Sequence, residues 1–213
     1  MTVLEVETPH GPARAHLDLV EGAEAALVLG HGAGGGIEAQ DLVAARDVAL
    51  GQGLAVALVE QPYRVAGRRS PAPARQLDAA WTAVVERLGA EELRGLPLVL
   101  GGRSLGARVA CRTAPELGAV AVLCLAFPLR PPGRLDAPSR LPELDALAVP
   151  TLVVQGERDP FGIPPGSGLR RVAIVPGDHA LRSDAGAVAA AVDAWLTEVL
   201  DQAARSAART GRS

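Results

Sequence analysis

A serine hydroxyl is a poor nucleophile until a base takes its proton, and an imidazole base needs a carboxylate to fix its tautomer. This chain offers one residue of each kind in a usable setting. The apolar run Leu98-Val99-Leu100 leads into Gly101-Gly102-Arg103-Ser104-Leu105-Gly106-Ala107-Arg108, and helix-compatible sequence follows at once. A Gly-x-Ser-x-Gly pentapeptide between strand and helix is the setting of a nucleophile elbow. So tight a turn forces strained backbone angles on Ser104. It also requires glycine at 102 and 106, where a Cβ would strike a neighbouring strand or helix. The hydroxyl then stands at a helix N-terminus, whose amides can stabilise a developing anion. With 24 glycines in the chain, the pentapeptide needs partners before it carries weight.

The partners follow in order. Thr151-Leu152-Val153-Val154-Gln155 reads as a buried strand and precedes Gly156-Glu157-Arg158-Asp159-Pro160-Phe161-Gly162, a loop bearing an acid. A further strand, Arg171-Val172-Ala173-Ile174-Val175, runs into Pro176-Gly177-Asp178-His179. There are four histidines, and His179 alone lies downstream of the acid. The expected assignment is Ser104 as nucleophile, His179 as base and Asp159 as the acid that orients it. Asp178, the alternative acid, adjoins the base and more naturally supports its turn. For the oxyanion, the strand Ala25-Ala26-Leu27-Val28-Leu29 ends in Gly30-His31-Gly32-Ala33-Gly34-Gly35-Gly36, a loop able to present a backbone amide. The expected donors are the N–H groups of Leu105 and Ala33, with Gly34 the second choice for the latter. His31 is read as a structural hydrogen-bonder.

These stretches resemble the α/β-hydrolase superfamily, in particular its small, capless dienelactone hydrolase-like members, and within them the testis-expressed protein 30 family and its bacterial relatives. The resemblance extends over most of residues 25–200 and includes Gln61-Pro62-Tyr63, Gly67-Arg68-Arg69 and Phe127-Pro128-Leu129-Arg130-Pro131-Pro132-Gly133-Arg134. It implies an α/β-hydrolase fold with a mostly parallel central sheet, helices on both faces and a minimal cap. Dienelactone hydrolases proper use cysteine as the nucleophile. Here the position is Ser104, so their substrate does not carry over. Arg130 stands where the relatives are expected to have histidine, which leaves the role of its loop open. The implied reaction is acyl-bond hydrolysis of a small molecule, without cofactor or metal.

The elements that must position these groups alternate along the chain, the mark of a parallel sheet covered on both faces. Val3–Val6 and Arg14–Leu19 read as an opening antiparallel hairpin turned by His10-Gly11-Pro12. Strands follow at 25–29, 54–59, 97–101, 119–125, 150–155 and 171–175, with helices near 38–51, 73–89, 105–113 and 184–202. The last helix carries Val188, Val192, Trp195, Leu196 and Val199 at helical spacing, a core-facing stripe. Residues 1–202 are read as one domain and 203–213 as a polar, fraying tail. The connection between 125 and 150, stiffened by Pro128, Pro131, Pro132, Pro138 and Pro142, is too short for a cap domain and is expected to shape the pocket. Tyr63, Phe127 and Phe161 each fall just past a strand's C-terminal end, where open α/β sheets bind ligands, and are expected to line the cleft. Arg64, Arg68 and Arg69 share that edge and read more naturally as solvated charges or local ion pairs than as an anion site.

Composition narrows the remaining classes. A formal charge of −3 argues against a nucleic-acid footprint, although all 21 basic residues are arginine. No apolar run reaches the ~18 residues of a membrane span, and the first residues lack the basic and apolar regions of a signal peptide. Cys111 and Cys124 lack metal or redox spacing and read as buried free thiols, consistent with a cytoplasmic protein. Gly30-His31-Gly32-Ala33-Gly34-Gly35 also satisfies a dinucleotide-binding fingerprint, with Glu60 ending the next strand as a candidate ribose ligand. That reading leaves Ser104, Asp159 and His179 unexplained. A catalytically silent interaction protein on the same fold is the other alternative.

Overall fold

The computed structural model describes residues 1–134 and 136–210, leaving aside the side chains of 203, 204 and 206–210. Eight strands form one sheet: β1 (Thr2–Val6), β2 (Ala13–Asp18), β3 (Ala26–Gly30), β4 (Ala55–Glu60), β5 (Leu98–Arg103), β6 (Ala121–Leu125), β7 (Thr151–Gly156) and β8 (Arg170–Val175). Their order is β1-β2-β4-β3-β5-β6-β7-β8. β1 and β2 pair antiparallel, β2 joins β4 antiparallel, and every other pairing is parallel. All eight strands lie where the apolar runs put them, with ends shifted by a residue or two.

The central strands are buried on both faces and therefore read as continuous apolar runs. Side-chain alternation splits them between two cores. Ala26 and Val28 of β3 join one cluster, whereas Leu27 and Leu29 join the other. The first core is closed by α3 (Ala74–Ala90) and α4 (Leu105–Thr113), through Leu77, Trp81, Val84, Val109 and Ala110. The second is closed by α1 (Gln40–Gly51) and α6 (Ala185–Thr210), through Leu42, Ala45, Val188, Val192 and Trp195. Adjacent strands β3 and β5 thus send their following helices to opposite faces. Their C-terminal ends therefore mark a topological switch point, the kind of place where open α/β sheets bind ligands.

Two short helices lie where loops were expected. α2 (Pro62–Val65) and α5 (Leu141–Asp145) are single turns with a proline in the first turn, where its missing N–H is no loss. α5 anchors the long connection after β6. Its Glu143 takes hydrogen bonds from Arg108 and Arg112 of α4, so the segment is fastened to the helix behind the elbow. α6 continues to Thr210, past the end expected near 202; the last three residues of the expected tail lie outside the described residues. Cys111 and Cys124 are buried free thiols with Sγ atoms 3.4 Å apart. The thiol–thiol hydrogen bond, together with burial, pushes the Cys111 thiol well above its ordinary value. Among the described residues no helix is long and apolar enough to cross a membrane.

Candidate active site

The elbow between β5 and α4 has the strain its sequence demands. Ser104 sits at φ 51°, ψ −104°, a region an L residue enters only when the surroundings hold it there. Its N–H donates to the Leu125 carbonyl of β6 at 2.8 Å. A Cβ on Gly102 would lie 2.5 Å from the Gly30 carbonyl oxygen, and one on Gly106 would overlap that same atom. Glycine at both positions lets α4 start against β3. The loop after β3 and Ser104 are thereby brought side by side.

Three side chains from separate loops meet there. His179 Nε2 lies 2.9 Å from Ser104 Oγ, and His179 Nδ1 lies 2.8 Å from Asp159 Oδ2. The carboxylate can only accept, so Nδ1 carries the proton and Nε2 is free to accept from the hydroxyl. Asp159 is itself positioned. Its Oδ1 takes the Phe161 N–H at 2.8 Å, and its Oδ2 takes the Gln155 side-chain amide at 2.7 Å. Gln155, fully buried in β7, also points its amide at the carbonyls of Phe127 and Gly162. Every group around that nitrogen is an acceptor, which fixes the amide orientation. Sequence reasoning passed over Gln155, since a polar residue near a strand end carries no signal of its own.

The loop after β3 stands opposite. Neither Ala33 N–H nor Leu105 N–H donates a hydrogen bond among the described residues, so both amides are unengaged. His31 is buried and structural. Its Nε2 accepts the Gln61 N–H at 3.1 Å, so its Nδ1 donates to the Gly32 carbonyl at 2.8 Å. Burial holds its imidazole below the ordinary histidine value; the Gly32 bond pushes the other way and Arg64 adds to the lowering. Tyr63 is only 4% exposed, and its hydroxyl donates to the Ala33 carbonyl at 3.1 Å. Tyr63 also lines a cavity of about 330 Å³ with His10, Pro62, Val65, Arg68 and Leu77, and none of Ser104, Asp159 or His179 lines it.

The three aromatic residues expected along the cleft separate. Phe161 packs on the His179 imidazole, with ring centroids 4.1 Å apart and planes tilted by 34°. Tyr63 is buried in the first core and touches the loop after β3 through its hydroxyl instead of lining a cleft with Ser104. Phe127 is a correction: it is fully buried in the first core. Ala126 adopts a left-handed φ of 51° at the end of β6, turning the chain so that the next side chain enters the interior. Of the arginines on this edge, Arg68 and Arg69 are exposed and Arg64 is half-buried. Glu60, the ribose ligand of the dinucleotide reading, is engaged by His16 Nε2 at 2.9 Å.

Comparison with known proteins agrees with this architecture. An alpha/beta hydrolase domain model matches residues 23–185. No curated protein sequence matches the chain. Among solved structures, a lidless a/b serine hydrolase from Xanthomonas campestris superposes with a TM-score of 0.75 at 19% identity, covering 92% of this chain and 94% of that one. Est1E from Butyrivibrio proteoclasticus gives 0.74 at 15% identity, covering 94% and 100%. The esterase domain of a Rhodothermus marinus protein gives 0.66 at 15%, covering 91% and 95%. These matches do not single out the testis-expressed protein 30 family within the superfamily. With its elbow, its eight-stranded sheet and a family model spanning most of its length, the chain belongs to the alpha/beta hydrolase family.

Proposed function

We propose that this protein is a serine hydrolase that cleaves an ester, thioester or related acyl bond of a small molecule. The observation that carries the reading is the unbroken line from Ser104 Oγ through His179 to Asp159, on a strained elbow beside two unengaged amides. Ser104 Oγ attacks the substrate carbonyl while His179 Nε2 takes its proton. Asp159 stabilises the imidazolium that forms, and the Ala33 and Leu105 N–H groups receive the oxyanion. Collapse of the tetrahedral adduct breaks the acyl bond, and His179 returns the proton to the leaving group. Water then attacks the acyl-Ser104 ester by the same steps in reverse roles. The serine hydrolase and esterase among the structural neighbours support this reaction type.

The long segment after β6 is tied to α4 through Glu143, which favours an uncapped site open along the sheet edge. In this reading Phe161 flanks the bound acyl group, and Tyr63 supports the oxyanion loop from its buried side. A fluorophosphonate probe decides the matter: labelling of the wild type that is abolished in Ser104→Ala is the expected result. An acyl-chain-length series of p-nitrophenyl esters then ranks the substrates. Absence of labelling under conditions that modify other serine hydrolases leaves a fold without the chemistry.

A further inference from the structure

Arg103 is the residue immediately before the nucleophile, and its side chain is largely withdrawn from solvent, at 16% exposure. Its guanidinium reaches three separate segments. Nε lies 3.0 Å from Asp41 Oδ2, at the start of α1, an ion pair by distance without hydrogen-bond alignment, and the Asp41 side chain has no exposed surface. Nη2 donates to the backbone carbonyl of His179 at 3.0 Å. Nη1 fills the space over Gly32 in the oxyanion loop, where a Cβ would come within 2.8 Å of it. Removing such a pair from water is costly, and well-packed apolar groups often serve stability as well or better. The geometry suggests a different use for it.

We infer that Arg103 is a positioning residue for the base, tying the His179 peptide to the buried Asp41 carboxylate and so holding the imidazole in line with Ser104 Oγ. This inference rests on the hydrolase reading above. The turn that carries His179 is closed by its own bonds, from Leu181 N–H to the Asp178 carbonyl and from Ala180 N–H to Asp178 Oδ1. Arg158 N–H also donates to the Gly177 carbonyl at 2.9 Å, which ties the turn to the loop after β7; none of these backbone bonds runs to the elbow strand. Among the described residues, Arg103 Nη2 is the hydrogen-bond partner of the His179 carbonyl. Asp41 is fixed in turn, since its Oδ1 accepts the Leu42 N–H at 3.0 Å. Burial raises its carboxyl above the ordinary range, and the Arg103 charge offsets part of that rise. A planar fork can bridge carboxylate and carbonyl at fixed spacing, whereas an ammonium presents a single point of charge. One guanidinium thus links nucleophile strand, oxyanion loop and base loop.

The test compares the full-length wild type with Arg103→Met, Arg103→Lys, Arg103→Ala and Asp41→Asn. The readouts are fluorophosphonate labelling rate, kcat and KM on a p-nitrophenyl ester, and thermal unfolding. A misplacement of the base on the ångström scale predicts loss of about 100-fold in kcat for Arg103→Met with KM little changed. Arg103→Lys stays near that level because the fork is gone, and Asp41→Asn loses less because the bond to His179 survives. Guanidinium ion at sub-denaturing concentration restores part of the rate to Arg103→Ala and none to Ser104→Ala. A folded Arg103→Met that labels at the wild-type rate, or that loses only melting temperature, overturns the inference. Should Arg103→Met fail to fold, Asp41→Asn decides by the same readouts: unchanged kcat overturns the inference and reduced kcat at constant KM supports it. A wild type that does not label is a different failure, one that removes the hydrolase reading and the inference with it.

Discussion

The acid side and the oxyanion side of the candidate site are held in place by different means. Around Asp159 the restraint is local: Gln155, Phe161 and Gly162 belong to one stretch at the end of β7, where the Gln155 amide and the Phe161 N–H donate to a fully buried carboxylate and the Gly162 carbonyl holds the same amide. Around Ala33 the restraint is distant. The loop is tethered by the hydroxyl of Tyr63 and by the His31–Gln61 bond. Over Gly34, Gly35 and Gly36 a Cβ would meet nothing within 4 Å, so packing does not brace that stretch. One wall is preorganised by its own chain segment. The other depends on single struts sent from elsewhere in the fold, each removable by one substitution.

The largest effect is expected at the centre of the locally built wall. Asp159→Asn keeps the shape of the side chain but can donate where the carboxylate only accepted, which favours the wrong His179 tautomer. A loss of about 10⁴-fold in kcat is the precedent for such a change. Steady-state kinetics on the best p-nitrophenyl ester measure it, and a loss below tenfold breaks the assignment of Asp159 as the acid. Next comes Gln155→Leu, which removes a buried donor shared among three acceptors. Asp159 Oδ2 keeps its bond to His179, and leaving the Phe127 and Gly162 carbonyls without the Gln155 donor costs about 1–3 kcal/mol of folding free energy. Chemical denaturation reads this directly, and kcat should fall less than in Asp159→Asn because the Phe161 N–H still holds Oδ1.

These two residues also separate what was legible in the sequence from what was not. Ser104, Asp159 and His179 stood out because each follows an apolar strand, their chain order is restrictive, and only four histidines are present. The eight strands stood out because burial on both faces leaves long apolar runs. Gln155 was invisible, since its importance arises only when β7 brings it beneath a loop four residues further on. Asp41 and Arg103 are far apart in sequence, and no local pattern announces a pair that forms only when α1 docks beside the elbow. Phe127 misled for a conformational reason: position past a strand end suggests a cleft, but the left-handed turn at Ala126 redirects the side chain into the core. The helices α2 and α5 were hidden because proline marks both a loop and a helix's first turn.

Acid offers a test of the second wall through His31. Burial holds His31 below the ordinary histidine value of 6.5, so the unfolded chain binds its proton more readily than the folded one. Stability contributed by neutral His31 is therefore complete above about pH 6.5 and is lost as pH falls from there towards the depressed folded value. Thermal unfolding between pH 7 and pH 5 should show the melting temperature declining. His31→Gln, which has no titration in that window, should flatten the decline. An unchanged slope in that variant assigns the acid sensitivity to another group and removes His31 as a pH-dependent tether.

The smallest effect tests whether a single strut matters at all. Tyr63→Phe deletes one neutral hydrogen bond, to the Ala33 carbonyl, while the ring stays in the first core. A bond of this kind contributes about 1 kcal/mol, a factor of roughly five in an equilibrium. If the hydroxyl serves only to satisfy a carbonyl, the variant loses that stability and keeps its labelling rate. If it holds the Ala33 amide where the oxyanion forms, the labelling rate falls by a similar factor while KM is little changed, because the interaction matters chiefly in the transition state. The second outcome is expected, since the loop has little packing to hold it once the tether is cut. Gln155→Leu supplies the contrast, because its wall keeps another bond to Asp159. A larger kinetic penalty per unit of stability lost in Tyr63→Phe than in Gln155→Leu would establish that remote struts, rather than local networks, govern the oxyanion side.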